Sequence, residues 1–181
     1  MKRYSVLGIS LMDFSAREGL RRAERFLQTG ALNTTSYINA QSLAAASRDE
    51  QIKQYLEEMD LIFCLEPDIL EAAGIASPGR VREIEDRVFL REFLKRLGRQ
   101  RDKVYLIGDT VKQAEALREM LLKVQENLNI AGARGYEEFE EQPERLMNEL
   151  NEAAPKVIFS RMTFPTDLAL MHAGRKFLNA E

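Results

Sequence analysis

Short, β-branched apolar runs alternate along this chain with segments whose apolar residues recur every three or four positions. Ser5 to Ile9 reads as a strand. Ala16, Leu20, Ala23 and Leu27 then fall on one helical stripe, introduced by Ser15 with Glu18 three residues later, the spacing of a capping box. Gly30 stands where a helix stop is expected. Thr34 to Ile38 is a second strand, and small residues from Ala40 begin another helix. Ser47 and Glu50 repeat the capping spacing and predict a helix running to about Met59.

Leu61 to Leu65 is apolar throughout, the pattern of a strand covered on both faces. Pro67 suits the first turn of a following helix, and Gly74 to Gly79, with Ser77-Pro78-Gly79, reads as a loop. Beyond it the pattern predicts a helix over 88–97, a strand over 103–107 and a helix over 111–127 carrying Ala114, Leu117, Leu121 and Val124. A strand over 128–131, a helix over 143–152, a strand over 157–159 and a last helix over 165–178 complete it. Strands separated by helices of this length imply right-handed crossovers. The expected class is α/β, Rossmann-like, with a mostly parallel sheet and helices on both faces, in a single domain over 1–181.

Charge and composition narrow the chemistry. The 26 basic and 29 acidic side chains leave a net charge of −3, which gives nucleic acid no electrostatic footing. Cys64 and His172 are the only residues of their kinds, so an intrachain disulfide and His- or Cys-rich metal sites are excluded. No metal or cofactor is expected. No apolar run approaches the roughly 20 residues of a membrane span, and no signal-peptide core follows Met1. A cytoplasmic location is expected.

In open α/β sheets ligands bind beyond the carboxyl ends of the strands. Four such ends stand out: Asn39, Glu66 to Asp68, Gly108-Asp109-Thr110, and Thr163 to Pro165. Gly108 allows close backbone approach, and the helix starting near Thr110 aims free N–H groups there. The same residues also suit a plain helix cap, and Asp109 repels phosphate. A Gly-x-Gly-x-x-Gly fingerprint and a Walker-type loop are both missing, which argues against NAD enzymes and P-loop NTPases.

Glu66 and Asp68 present carboxylates that could serve as a general base or could cap the helix after Pro67. Nine basic and five acidic residues over 80–103 suit either lipid headgroups or diphosphate, or a solvated helix face; Arg80 is separable, being expected in the loop. His172 reads as structural, and Cys64 as an inert core thiol.

Five stretches in order and spacing carry a resemblance: Val6-Leu7-Gly8-Ile9, Tyr37-Ile38-Asn39-Ala40, Val104 to Gly108, Ala131 to Tyr136, and Phe164-Pro165. Together they resemble the WecG/TagA/CpsF glycosyltransferases over nearly the whole chain. The resemblance implies transfer of N-acetylhexosamine from a UDP-sugar to an undecaprenyl-diphosphate-linked acceptor in cell-envelope polymer synthesis. It implies substrate contacts at Asn39, Arg80, Gly108, Asp109, Gly135, Tyr136 and Pro165. It further implies UDP or a UDP-N-acetylhexosamine as ligand, a lipid-diphosphate acceptor met at the inner face of the membrane, and self-association.

The departures from the family pattern fall at its chemical positions. Tyr37 replaces a threonine near the reactive centre. Leu65-Glu66 replaces the Asp-Gly that carries the base, leaving Glu66 or Asp68 as substitutes. Glu83 replaces a glycine beside Arg80, and Thr163, Asp167 and Leu168 replace the Gly, Gln and Glu around Pro165. The resemblance implies a Gly-rich strand and often a membrane-binding appendage after Leu178, and this chain is expected to lack both. A retained scaffold with little or no transferase activity is expected. An active divergent transferase and an unrelated nucleotide-binding or regulatory α/β domain are the alternatives.

Overall fold

The computed structural model describes residues 3–178 and divides into two compact units, Met1–Leu90 and Arg91–Glu181. Unit one opens with a hairpin of β1 (Arg3–Val6) and β2 (Ile9–Met12), paired antiparallel with Val6 opposite Ile9. The turn is Leu7-Gly8, with φ of 50° and 81°. Positive φ at both central residues is what a tight hairpin needs to match the strand twist. The single strand expected over Ser5–Ile9 is therefore broken at its centre. Leu7 is no turn former, and only Gly8 signalled the reversal.

After α1 (Ala16–Phe26) comes β3 (Thr35–Ile38), then α2 (Ala40–Ala46), α3 (Glu50–Glu57), β4 (Leu61–Cys64), α4 (Pro67–Ala72) and α5 (Pro78–Glu85). The capping box of Ser15 and Glu18 forms as its spacing implied. At α3 the cap is Asp49, whose carboxylate accepts from Gln51 and Ile52, while Ser47 ends α2 instead. Asp49 prevails because a carboxylate accepts both free N–H groups at a positive helix end.

Strands β3 and β4 pair in parallel, Tyr37 beside Phe63 and Ile38 beside Cys64. One face of this pair carries an aromatic cluster. The Phe63 ring stacks with Tyr37 at 5.4 Å, meets Phe14 edge-on at 4.8 Å and lies 4.0 Å from Phe89. A Cβ on Gly19 would come within 2.8 Å of Phe63, so α1 can sit on this cluster only with glycine there.

Unit two holds most of α6 (Val88–Gln100), followed by β5 (Lys103–Gly108), α7 (Val111–Val124), β6 (Asn129–Gly135), α8 (Pro143–Ala153), β7 (Val157–Arg161) and α9 (Thr166–Phe177). Its sheet is parallel, in the order β6-β5-β7. Central β5 is buried from Val104 to Gly108, as its unbroken apolar run required. Tyr105 and Ile107 face a core of Phe139, Leu146, Met147, Leu150 and Met162. The opposite face receives α7 through Ala114, Leu117 and Leu121.

The pairing slips between Val104 and Tyr105, so that Val104 meets Ile130 but Tyr105 meets Gly132. The Tyr105 ring then covers Gly132, where an added Cβ would fall 2.4 Å from the ring. Both units are α/β with parallel strands, as expected.

Candidate functional site at the strand ends

In unit one the carboxyl ends of β3 and β4 bring together Tyr37, Asn39, Cys64, Leu65 and Glu66. Asn39 caps α2: its side-chain oxygen accepts from the Ser42 N–H at 2.8 Å, and the Ser42 hydroxyl oxygen accepts from the Asn39 N–H at 2.9 Å. Glu66 heads α4 without capping it. Its carboxylate instead accepts from the Ala40 N–H at 2.8 Å, at the first turn of α2. Neither role proposed for Glu66 included this reach across two strand ends, because its partner lies 26 residues away in sequence.

Asp68 sits exposed in the first turn of α4. Leu65 is 46% exposed, and its N–H donates to the Ile38 carbonyl at 2.7 Å. The side chain where the sequence resemblance places a base is thus a hydrocarbon turned toward solvent.

Arg80 lies inside α5, not in the expected loop. Ser77 accepts from the Arg80 N–H as the cap, and Pro78 occupies the first turn, where its missing N–H costs nothing. The Arg80 guanidinium donates to Glu83 at 2.6 Å and to Asp13 at 3.0 Å. The same Glu83 oxygen accepts from the Ala16 N–H of α1 at 3.0 Å. Two carboxylates therefore compensate the arginine from within the chain.

Around the Tyr37 hydroxyl, burial pushes the phenol pKa above its usual range and the Arg87 guanidinium opposes this. Burial likewise pushes the Cys64 thiol up to about 11; Arg80 lowers it and Asp13 raises it. From an ordinary value of 9.0 that leaves roughly 100-fold less thiolate. Cys64 should accordingly react with a disulfide reagent at pH 8 about 100-fold more slowly in the native chain than in urea. Rates within a few-fold of each other would contradict the burial of this thiol.

In unit two the strand ends are Gly108, Gly135 and Arg161. A Cβ on Gly108 would lie 2.6 Å from the Ala114 nitrogen, and one on Gly135 would lie 2.3 Å from the Val111 nitrogen. Both glycines make room for the first turn of α7. That turn is already capped: Thr110 and Gln113 exchange bonds, and Glu137 accepts from the Val111 N–H at 3.0 Å. Tyr136, half-buried beside the unit-two core, begins a short 3₁₀ turn to Glu138, and the Glu138 carboxylate accepts from the Gly135 N–H.

Asp109 ties two strand ends together. Its carboxylate accepts from the Thr163 N–H at 2.8 and 3.0 Å and from the Thr163 hydroxyl at 2.7 Å. Thr163 leads into a cis Phe164–Pro165 bond, and Pro165 precedes α9. Asp167, which the sequence marks only as a departure from the family pattern, lies in the first turn of α9. Burial raises its carboxyl pKa, the Leu168 N–H lowers it, and Asp109 raises it further. Asp109, just after β5, thus acts on a carboxylate in the first turn of α9.

A second polar group joins strand and helix. The Tyr105 hydroxyl donates to Glu149, and the Arg134 guanidinium donates to the same oxygen at 2.8 Å. Burial acts to raise the Glu149 pKa, but these two bonds outweigh it and hold the carboxyl below its usual range.

The strand-end glycines, the Asn39 cap and the β6 to Tyr136 turn all lie within one continuous family match. The sequence profile of the glycosyl transferase WecG/TagA/CpsF family matches residues 4–181. The chain belongs to that family. Among curated proteins none matches it. Membership makes this a glycosyltransferase-like domain and sets aside an unrelated α/β origin. WecG/TagA/CpsF chemistry in general pairs a nucleotide-sugar donor with a lipid-linked acceptor in cell-envelope polymer synthesis. No helix among the described residues is long and apolar enough to cross a membrane.

Proposed function

We propose that this chain keeps the family scaffold but has turned its strand-end groups to internal contacts. It then acts as a binding or scaffolding member with little or no transferase activity. The observation that carries this reading is Leu65 together with Glu66. The base position bears an exposed hydrocarbon, and the adjacent carboxylate is engaged by the Ala40 N–H at 2.8 Å. Absence of a general base alone costs about 10²–10⁴ in rate.

Two further carboxylates support it. Glu83 on Ala16 and Glu137 on Val111 each occupy a helix N–H of the kind that commonly receives a ligand's phosphate. The family match runs through both units, which supports treating 1–181 as one glycosyltransferase-like domain.

On this reading UDP or a UDP-N-acetylhexosamine is the ligand class retained, with Gly108, Asp109, Gly135, Tyr136 and Pro165 as its contacts in unit two. Asn39 and Arg80 are the corresponding residues of unit one. A lipid-diphosphate acceptor, peripheral attachment at the inner membrane face, and a homo-oligomer follow from the family pattern. The second reading is an active divergent transferase. It rests on Asp68, whose exposed carboxylate stands three residues beyond Leu65.

Calorimetry with UDP and UDP-N-acetylhexosamines, paired with a transfer assay on a lipid-diphosphate acceptor, separates the two. Nucleotide binding without turnover is the expected result. Turnover that vanishes in Asp68→Asn would replace the first reading with the second.

A further inference from the structure

Helix α7 turns Ala114, Leu117 and Leu121 onto the sheet of unit two, but its apolar residues do not stop at that stripe. Met120 is 37% exposed and Val124 51%, and with exposed Ala116 they follow one another at single-turn spacing along a flank of the helix. The opposite flank is closed by α6. A Cβ on Gly98 would come 2.7 Å from the Gln125 side chain, and the Phe93 ring lies 6.4 Å from Phe159 on β7. In the order β6-β5-β7 the uncovered flank of α7 therefore looks out past β6.

Strand β6 is itself an edge, paired with β5 alone among the described residues. Proteins usually blunt such edges with charge, proline or a bulge. From Asn129 to Ala133 this one carries no charge and no proline, and the register slip beside Ala131 is its one such device. Beside the exposed stripe of α7 stand Glu119 and Lys123, in the order and spacing that suit an ion pair within a helix. Neither forms an ion pair among the described residues.

The two elements share a midpoint. The close approach of Gly135 to the Val111 nitrogen sets them level at that end. At about 1.5 Å per helix residue and about 3.3 Å per strand residue, Met120 then stands level with Ala131, near the middle of β6. A two-fold axis through that level, perpendicular to the sheet, lays β6 antiparallel to its own copy and α7 beside its own copy, with Met120 close to the axis. Glu119 of each copy then stands within reach of Lys123 of the other.

We propose that the outer face of α7 and β6 docks a second copy of this chain, forming a two-fold dimer. Such an interface uses one surface twice, so the unpaired strand edge, the apolar stripe and the Glu119–Lys123 pair each complete themselves. It deepens the homo-oligomer of the proposed function by naming its surface. Its test needs neither nucleotide nor sugar transfer, so a failure of UDP binding would leave it standing.

Sedimentation of the full chain from about 1 to 100 μM tests it, the range in which modest interfaces associate. The expected result is a concentration-dependent dimer that Met120→Lys with Val124→Lys weakens by about 100-fold or more, because each substitution acts twice across the axis. Amides of 129–133 should exchange more slowly in the dimer than in that variant. Glu119→Lys alone should weaken the dimer, and adding Lys123→Glu should restore it, which keeps the test decisive if the lysine pair disturbs folding. A chain that stays monomeric throughout, a dimer untouched by these variants, or a different polypeptide captured on this face of the monomer would overturn the proposal.

Discussion

Gly135→Ala is expected to destabilise the protein by about 3 kcal/mol or more, at the upper end of overpacking costs. The new methyl would sit 2.3 Å from the Val111 nitrogen and 2.6 Å from the Thr110 carbonyl carbon, both backbone atoms. Neither can swing aside as a long side chain does. Helix α7 would have to lift from β5 and β6, and with it the Thr110–Gln113 capping box and the Glu137 bond. At this chain length the melting temperature should fall by about 6–12 °C. Gly79→Ala is the matched control, because open space surrounds that position and its φ is not positive. It should leave stability unchanged within about 0.5 kcal/mol. Equal melting temperatures for Gly135→Ala and the parent chain would refute the close approach of α7.

Asp109→Ala carries the next largest effect, a loss of about 2–3 kcal/mol, the range for hydrogen bonds to a charged group. It removes the acceptor for both Thr163 donors and so frees the end of β5 from the segment before Pro165. A pH signature accompanies it. In the parent chain the Asp167 carboxyl titrates above its unfolded value, through burial first and Asp109 repulsion in addition. The native state therefore binds that proton more tightly than the unfolded state. Asp167 thus contributes stability fully below the unfolded carboxyl pKa, and this contribution is lost as pH rises through the raised folded value. Removing the Asp109 charge lowers the folded pKa, so this loss with rising pH should shrink in the variant. Urea midpoints measured from pH 3 to 7 for both proteins check the size and the sign. A variant whose pH slope matches the parent's would sink the carboxylate coupling.

Much of the scaffold was legible because its causes are local. The Ser15 and Glu18 box lies within one turn, and Ala114, Leu117 and Leu121 repeat at helical spacing, so α1 and α7 could be placed from adjacent residues. Buried β5 declared itself through an unbroken apolar run. The failures share a different cause. Leu7 adopts positive φ with no turn chemistry of its own, so an apolar run concealed a hairpin. Ser77-Pro78-Gly79 carries loop residues, yet Pro78 at the first turn and Ser77 as its cap begin a helix.

The site was harder still, since its contacts join distant residues. Glu66 meets Ala40, Glu83 meets Ala16, and Asp109 meets Thr163. A carboxylate in sequence looks the same whether it will accept a proton from a substrate or an N–H from a helix. Only the partner decides, and in all three cases the partner lies 26 or more residues away.

The slip at the start of β6 has an effect that reaches the other end of that strand. Because Tyr105 stands beside Gly132, Ile107 stands beside Arg134, and the side chains of Tyr105, Ile107 and Arg134 lie on one face. Without the extra residue, alternation would send the Arg134 guanidinium to the α7 side, away from the Glu149 oxygen it now shares with Tyr105. When relatives are aligned with this chain, a one-position gap between 129 and 132 therefore decides more than length. It determines whether the residue aligned with Arg134 belongs to the same layer.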